Sequence, residues 1–296
     1  MKLYRLIIFV TIAFLFLMIA ACGDGKVGSI RYGEILVHMT DAKPLLPEGA
    51  ESVKNLLLSI TGVSVHKSGG NWISLPLGEG PLHTIDLLQF VNGKTTKIVP
   101  SALLEYGKYT QIRLEIENAT IRFDNDLESD VVIPFDHFKT DKNFLFNVNK
   151  PGPIDIIIDF DLSRSLKITD PFGTPSYILN PILHIVDTLE AATINGKITQ
   201  DSFVVGQNAE VTVFIPNPGI QGGYEEYTKM EVAESGTDLT EFSIYWLVPD
   251  ENYRVEIKFD PDFVNGVDFS EDISATGVEP GRVRNLNGGN PIKIGD

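Results

Sequence analysis

Hydrophobic and polar residues alternate along most of this chain, and this period of two constrains the fold more than any other feature of the sequence. In Tyr109–Ile116, the apolar residues Ile112, Leu114 and Ile116 share one face and polar residues occupy the other. Ile154–Leu162 repeats the pattern, with apolar residues at every even position. Alternation of this kind is typical of a strand with one buried face in an antiparallel sheet, whereas a helix needs a period of about 3.6. The sequence therefore predicts an all-β protein.

Turn residues divide the predicted strands into two groups. Further alternating segments are Glu34–Met39, Val53–Val65, Trp72–Leu77, Ala119–Phe123, Val131–Phe135, Asn143–Val148, Tyr177–Val186, Val211–Ile215, Phe242–Leu247 and Tyr253–Phe259. Many short strands separated by Gly- and Pro-rich turns are typical of β-sandwiches. A boundary near Glu190–Thr193 predicts two tandem antiparallel β-sandwich domains, residues 33–190 and 191–296. Only two short helices are expected, at Thr84–Phe90 and Ser101–Tyr106.

The amino terminus has the pattern of a secretory signal. Lys2 and Arg5 precede the apolar run Leu6–Ala20, which is shorter than the ~20 residues that usually span a bilayer. The run ends in small residues followed by Cys22, and this arrangement resembles the lipobox of bacterial lipoproteins. The resemblance implies a signal peptide over residues 1–21, lipidation of Cys22 and a Gly-rich tether over residues 22–32. A plain signal peptide and a retained single-span anchor are the alternatives.

The same resemblance predicts where the protein lies. A lipid on Cys22 would attach it to a membrane of the cell envelope. Gly23 follows the cysteine, and by similarity to enterobacterial sorting a residue other than Asp there favours the outer membrane over the inner one.

Charge and cysteine content exclude several classes of protein. The chain has 40 acidic and 24 basic residues, a net charge of −16. Loss of Lys2 and Arg5 with the signal would leave 22 basic residues and a net charge of −18. Such a chain repels phosphates, so no nucleic-acid partner is expected. A single cysteine permits neither an intrachain disulfide framework nor a Cys-rich metal site.

No catalytic or cofactor-binding motif is recognisable. A nucleophile elbow, a His-Glu-x-x-His zinc motif and a phosphate-binding loop are all missing from the sequence. Acidic residues offer only weak metal candidates, which are Asp124, Asp126, Glu128 and Asp130 in one cluster and Asp159 and Asp161 in another. The first cluster is interpreted as a hairpin tip and the second, with Asp155, as a solvated strand face, although oxygen-rich spacing would also suit Ca²⁺. We expect no catalytic residue, no metal and no cofactor.

Aromatic residues provide a ligand-binding hypothesis. Tyr224 and Tyr227 lie in the segment Gly219–Met230, which the sequence predicts to be a Gly-rich loop. Exposed rings on such a loop could stack against the faces of sugars. Both tyrosines are therefore candidate ligand-binding residues.

The first domain resembles a family of unknown function found near the amino end of many Gram-negative lipoproteins. The resemblance rests on Leu36–Ala42, Ile60–Val65, Ile85–Leu88, Tyr106–Leu114, Asp159–Asp161 and Leu179–Pro181. Together these segments cover most of residues 33–186 in order. The resemblance implies a β fold and an envelope location, and it brings no activity.

The second domain is similar to prealbumin-like and carboxypeptidase-regulatory-like β-sandwich modules. The similarity rests on Asn195–Ile198 and on Leu247–Val255, where Asp250 replaces the usual glycine. It implies a spacer or a ligand-binding module, including carbohydrate-binding ones.

Taken together, these observations predict a non-catalytic, lipid-anchored envelope protein that binds a glycan or another envelope protein. One alternative is a structural spacer or accessory subunit of an envelope complex. The other is a glycan hydrolase that uses two carboxylates, since residue spacing alone does not exclude a pair of acids.

Overall fold

The computed structural model describes residues 30–41, 53–78, 83–135, 137–139, 146–149, 152–169, 175–203, 208–248, 252–259, 269–273 and 281–293. The predicted signal peptide, Cys22 and most of the tether lie outside these ranges. The described residues form an all-β structure, which confirms the predicted fold class. None of the helices in these ranges has the length and apolar character needed to cross a membrane.

Residues 32–187 form two sheets. Their strands are β1 (Tyr32–Thr40), β2 (Val53–Lys67), β3 (Trp72–Leu75), β4 (His83–Asp86), β5 (Thr96–Glu105), β6 (Gly107–Phe123), β7 (Glu128–Val132), β8 (His137–Lys139), β9 (Phe146–Val148), β10 (Pro153–Phe160), β11 (Leu166–Thr169), β12 (Ser176–Leu179) and β13 (Leu183–Asp187). The first sheet has the order β13-β10-β1-β5. The second has the order β11-β12-β7-β6-β2-β3, with β4 also paired to β2, and β8 and β9 to β6.

Residues 192–292 form two smaller sheets. Their strands are β14 (Ala192–Thr199), β15 (Ala209–Pro216), β16 (Tyr224–Val232), β17 (Leu239–Leu247), β18 (Tyr253–Lys258), β19 (Phe269–Ile273) and β20 (Val283–Asn285). The orders are β17-β14-β20 and β16-β15-β18-β19. Most strand pairs in the described residues are antiparallel; β1 with β10, β7 with β12 and β14 with β20 are parallel.

Each group of strands encloses its own hydrophobic core. Ile112, Leu114 and Ile116 of β6 are at most 2% exposed, which confirms the inward face that their alternation predicts. The first core extends to Ile185, and the second begins at Ala192. The packing of apolar side chains from two facing sheets is what stabilises each sandwich.

Both short helices predicted from the sequence are wrong. Ser101–Glu105 belongs to β5, where Leu103 is 71% exposed between the buried Ala102 and Leu104. That alternation pairs β5 with β1 and overrides the helix-favouring composition. In the other segment, strand β4 is followed by a single 3₁₀ turn, Leu87–Gln89.

One helical turn, α1 (Leu162–Ser165), replaces the predicted end of a strand. The Asp161 carboxylate accepts a hydrogen bond from the Arg164 amide at 3.2 Å, which caps the start of the turn. The Ser165 hydroxyl donates to the Asp161 carbonyl oxygen and accepts from the Ile182 amide. These bonds bring α1 to the end of the first sheet, where it meets the second domain.

Candidate functional site

The two domains are joined through α1 and the edge strand β16. The Arg164 guanidinium donates from Nη1 to the Tyr227 carbonyl oxygen at 2.8 Å, and the Ser163 hydroxyl donates to the Lys229 carbonyl oxygen at 3.2 Å. Among the described strands, β16 is at the edge of its sheet and pairs only with β15. The hydrogen bonds from Arg164 and Ser163 therefore satisfy backbone carbonyl groups at an open sheet edge. Arg164 also forms an ion pair with Glu226 of β16, with 3.9 Å between Nε and Oε1.

Three carboxylates are buried beside this contact. Asp41, at the end of β1, is 2% exposed; Asp159 of β10 is 6% exposed; and Asp161 is 1% exposed. One oxygen of Asp41 accepts from the Leu162 amide at 3.1 Å. Burial of so many like charges is costly unless protons or cationic groups compensate for them.

Two groups supply part of this compensation. Asp161 Oδ2 lies 3.6 Å from His184 Nε2 and 3.8 Å from Arg164 Nη1. His184 is also directly opposite Asp159 in the pairing of β13 with β10, so it neighbours both acids. The cluster thus combines three carboxylates, one guanidinium and one imidazole.

Asp159 is the acid least compensated by hydrogen bonds. Within the described residues its Oδ1 has no hydrogen-bond partner. The pKa of Asp159 is raised to about 7, chiefly by burial; His184 opposes this shift and the neighbouring Asp161 adds to it. A carboxyl group with this pKa exchanges a proton near neutrality.

A small cavity between the domains lies against Asp159. It has a volume of about 20 Å³ and is also lined by Thr228 of β16 and Trp246 of β17. In the described part of the chain, the Thr228 hydroxyl and the Trp246 indole nitrogen have no hydrogen-bond partner. A space of this size accommodates a molecule no larger than water. The junction therefore suits proton exchange and a mechanical role better than the binding of an organic substrate.

Two β-bulges direct aromatic side chains of the second domain toward this junction. In β16, Tyr227 is an extra residue between the pairs Val213–Thr228 and Phe214–Glu226. Its ring lies 4.0 Å from the His184 ring and 5.6 Å from the Tyr253 ring. A bulge disrupts alternation and re-aims a side chain, which explains why Tyr227 and Thr228 are both buried.

The second bulge lies near the end of β17. Tyr245 and Trp246 stand opposite the single residue Thr193, and Trp246 has a φ of +61°. A positive φ is costly for a residue with a side chain, and such strain persists only where packing imposes it. The Tyr245 ring packs against Gly93, which occupies a turn of the first domain at a φ of +79°. Both bulges therefore serve the domain contact.

The structure brings together three of the residues singled out in the sequence. Asp159, Asp161 and Tyr227 all lie at the junction. The prediction that Asp159 and Asp161 lie on a solvated face is wrong, because the second domain covers that end of the sheet. Asp155, on the same strand, is half-exposed and pairs with His38 Nε2 at 3.0 Å.

The other acidic candidates lie elsewhere. Asp124, Asp126, Glu128 and Asp130 are at the exposed hairpin between β6 and β7. Glu128 accepts from Arg122 at 2.6 Å, and Asp126 accepts from Lys54 at 3.3 Å. Among the described residues, no group of three or more His, Cys, Asp or Glu side chains has a geometry that could hold a metal ion.

The predicted tyrosine loop is a strand. Tyr224 and Tyr227 both belong to β16, and Tyr227 is only 8% exposed. The expectation of an exposed stacking ring is therefore wrong for Tyr227. Tyr224 is half-buried, and the Arg254 guanidinium lies 4.0 Å above its ring. Its predicted role in ligand binding stays a prediction.

Asp41 and Arg164 were not singled out by the sequence, although both are part of the junction. The sequence does contain one pattern that could have indicated α1. Asp is a favoured N-cap residue, and its carboxylate accepts from the amide three residues later, which here is that of Arg164. No sequence pattern indicates that Asp41 lies near it. Their meeting depends on the parallel pairing of β1 with β10, which brings together distant parts of the chain.

Arg164→Ala is expected to weaken the junction. The change removes the hydrogen bond to Tyr227 and leaves Asp161 and Glu226 without their nearby guanidinium, so we expect a loss of about 1–3 kcal/mol in the free energy of unfolding. Urea unfolding followed by tryptophan fluorescence measures it. Arg122→Ala, which removes an exposed ion pair, is the matched control. Equal effects of the two changes would contradict a structural role for Arg164.

Several solved structures are distantly similar to this chain. A leucine-rich repeat protein from Bacteroides thetaiotaomicron aligns with 11% identity and a TM-score of 0.22, over 89% of this chain and 26% of that protein. The Bacillus anthracis TIE protein aligns with 12% identity and a TM-score of 0.21, over 89% and 35%. The fimbrial anchor protein Mfa2 from Porphyromonas gingivalis aligns with 9% identity and a TM-score of 0.20, over 81% and 82%.

The first two of these alignments span only about a quarter and a third of the other protein. TM-scores near 0.2 do not establish a shared fold, and the architecture described above stands on this chain's own strand pairing. In the comparison with curated proteins, no sequence matches the chain.

The comparison with protein families finds one match over the first domain. The sequence model described as "Domain of unknown function (DUF4382)" matches residues 32–181. This match confirms the resemblance of the first domain to a domain of unknown function; the resemblance of the second domain to prealbumin-like modules stays a prediction. Since the match covers half of the chain, the protein belongs to the DUF4382 family.

Proposed function

We propose that this protein is a lipid-anchored, non-catalytic component of the bacterial cell envelope that binds a glycan or another envelope protein. The lipid is carried by Cys22, and the outer membrane is favoured over the inner one because Gly23 follows it. The two β-domains act as one unit that the tether holds at the membrane.

The domain junction is the observation that carries this proposal. Side chains of both domains build it, and Arg164 and Ser163 hold backbone acceptors of β16. Two domains fixed in this way present their outer surfaces in a constant relative orientation. A cavity of about 20 Å³ at their contact leaves no space for a substrate, so binding is assigned to outer surfaces.

The same junction favours a second candidate, a structural spacer or accessory subunit of an envelope complex. A rigid pair of sandwiches would hold a partner complex at a set distance from the membrane. Crosslinking of the lipidated protein in living cells, followed by mass spectrometry, separates the two candidates. Adducts confined to the subunits of one complex support the spacer, whereas adducts with a glycan or with an envelope protein outside such a complex support the binding protein.

Cys22→Ala is expected to abolish membrane attachment. Loss of the thiol removes the proposed site of acylation and, with it, the acyl chains that would hold the protein at the membrane. Cells labelled with a palmitate analogue and then fractionated test this result. The variant should lose the label and leave the membrane fraction, while Ser29→Ala, further along the tether, should retain both.

A wild-type protein that takes up no label, or a Cys22→Ala protein that keeps it, would contradict lipidation of Cys22. A Cys22→Ala protein that loses the label and still stays in the membrane fraction would favour a retained apolar span over residues 6–20. Such a result would leave the binding role of the β-domains open to test separately.

A further inference from the structure

A groove opens on the outer face of the first domain, and its described lining residues are distinct from those of the domain junction. Strand β7 pairs with residues 119–122 of β6, and β8 pairs with residues 113–115. Neither strand pairs with residues 116–118 of β6. The groove lies beside this part of β6 and has a volume of about 610 Å³. Its wall includes Thr61, Arg113, Glu115, Glu117, Ile133 and Phe135. This volume falls within the range of small-molecule sites, which is about 300–1,000 Å³.

Polar groups of β6 line the groove. Arg113 and Glu115 occupy alternate positions of the strand, so their side chains share the face opposite the core at a spacing of about 6.6 Å. Glu117 is an extra residue at an irregularity in the pairing of β6 with β2, and it also lines the groove. Together these side chains offer donors from one guanidinium and acceptors from two carboxylates. A ligand's hydroxyl groups can accept hydrogen bonds from the guanidinium and donate them to the carboxylates.

Arg113 is oriented for this role. Its guanidinium lies 4.1 Å above the Trp72 ring, a cation–π contact that holds the side chain in place. Its Nε atom is buried and has no hydrogen-bond partner among the described residues. Within the ranges that the structure describes, stacking on Trp72 holds the side chain and no ion pair does.

Gly62 creates space for Glu115. It lies directly opposite Glu115 on β2, next to an irregularity in the pairing of β2 and β6. A Cβ atom at position 62 would collide with the Glu115 carboxylate, so that carboxylate lies across the glycine. A larger residue there would push Glu115 away from its present position.

An apolar patch completes the groove. Phe135 is 63% exposed, although a phenyl ring normally gains about 2 kcal/mol by burial. Ile133, two residues earlier, is half-buried on the same wall. An exposed aromatic ring beside carboxylates and a guanidinium combines a surface for C–H groups with partners for hydroxyls.

We propose that this groove binds a carbohydrate, one or two neutral sugar rings of a glycan, with Phe135 contacting a sugar face and Arg113, Glu115 and Glu117 bonding its hydroxyls. The inference rests on the proposed binding function and assigns it a site and a ligand class. Neutral sugars fit the mixed charge of the groove, whereas an anionic polymer would meet two carboxylates and a strongly acidic protein.

Titration calorimetry of the full-length lipidated chain in detergent tests the site. Maltose, cellobiose and chitobiose are the sugar probes, and a lysine-rich peptide is the competing ligand class. We expect at least one sugar to bind. Phe135→Ala and Glu117→Gln should each weaken that binding about tenfold or more, as expected when a central anchor is removed.

Matched controls lie outside the groove, at the hairpin between β6 and β7. Leu127→Ala removes another exposed apolar residue and Glu128→Gln another exposed carboxylate, and both should leave the affinity unchanged. Gly62→Ala should weaken binding by displacing Glu115 while leaving the fold intact. This variant gives a readout that does not depend on removing a groove side chain.

Three results would overturn the proposal: no binding of any probe sugar at millimolar concentration, binding of the peptide alone, or sugar binding that the groove variants leave unchanged. Sugar binding that the groove variants leave unchanged would refute this site but remain consistent with the proposed binding function. Membrane attachment through Cys22 is measured independently, so a failure here is distinguishable from a failure of the envelope assignment.

Discussion

Asp159→Asn is expected to stabilise the protein above pH 7 and to change its stability little near pH 4. Asp159 is 94% buried by the domain contact, and burial raises its pKa to about 7 from an ordinary value of 3.8. At pH 8 the folded protein must therefore hold a poorly compensated carboxylate at the junction. An amide has nearly the same shape and carries no charge, so the variant avoids this cost.

The pH dependence follows from proton binding. Between about pH 4 and pH 7 the folded state holds the Asp159 proton while the unfolded state has released it, so stability decreases as the pH rises through this window. Above pH 7 the loss is complete and constant. A difference of about three pKa units corresponds to about 4 kcal/mol. The charged and titratable groups around Asp159 are Asp41, Asp161, Arg164, His184, Tyr227 and Lys229.

Urea unfolding of the full chain between pH 4 and pH 8 measures this effect. The wild type should lose stability across the window, and Asp159→Asn should be more stable than the wild type by about 2–4 kcal/mol at pH 8. Asp155→Asn, on the same strand but half-exposed, is the control and should follow the wild type. A wild-type stability that rises from pH 4 to pH 7, with no gain from Asp159→Asn, would contradict the buried carboxyl described here.

Gly196→Ala is expected to destabilise the second domain strongly. Gly196 of β14 lies directly opposite Phe242 of β17, and a Cβ atom at position 196 would collide with the Phe242 ring. The ring is 6% exposed and belongs to the core, so it has no free space into which to move. Overpacking of this kind costs about 1–3 kcal/mol and more where the backbone must shift. We expect about 3 kcal/mol.

Denaturant unfolding checks this value, with Gly62→Ala as the control. The added methyl group there meets only the mobile end of the Glu115 side chain, so its cost should be close to zero. The double variant Gly196→Ala/Phe242→Leu should regain part of the lost stability because a smaller side chain relieves the overlap. If the double variant were no more stable than Gly196→Ala, the Phe242 ring would not be the cause.

Local alternation predicts individual strands well because one buried face is a local property. The inward face of β6 and most of β10 follow from it. Ser101–Tyr106 shows the limit, since Ala, Leu and Glu favour a helix while pairing with β1 imposes a strand. The side chain of Leu103 is exposed as a result, and local propensity alone does not predict that.

The junction could not be predicted for a different reason. Alternation places Asp155 and Asp159 on the same outward face, and the outcome differs because the second domain covers only one of them. The Tyr227 bulge likewise depends on the register between β15 and β16. The groove is not predictable from the sequence either, because Arg113 and Glu115 have only the pattern of the polar face of a strand. Whether a polar face is solvated depends on tertiary packing.

The parallel pairing of β1 with β10 affects the order in which the protein can fold. His38 and Asp155, neighbours across these strands, are 117 positions apart in the chain. During synthesis β1 therefore emerges long before the strand that lies beside it, and the first sheet is complete only when β13 has emerged as well. Closing so long a loop slows folding, since its entropy is lost before the contacts form. The first sheet can therefore be completed only after residues 153–187 have been synthesised, and we expect this step to be slow.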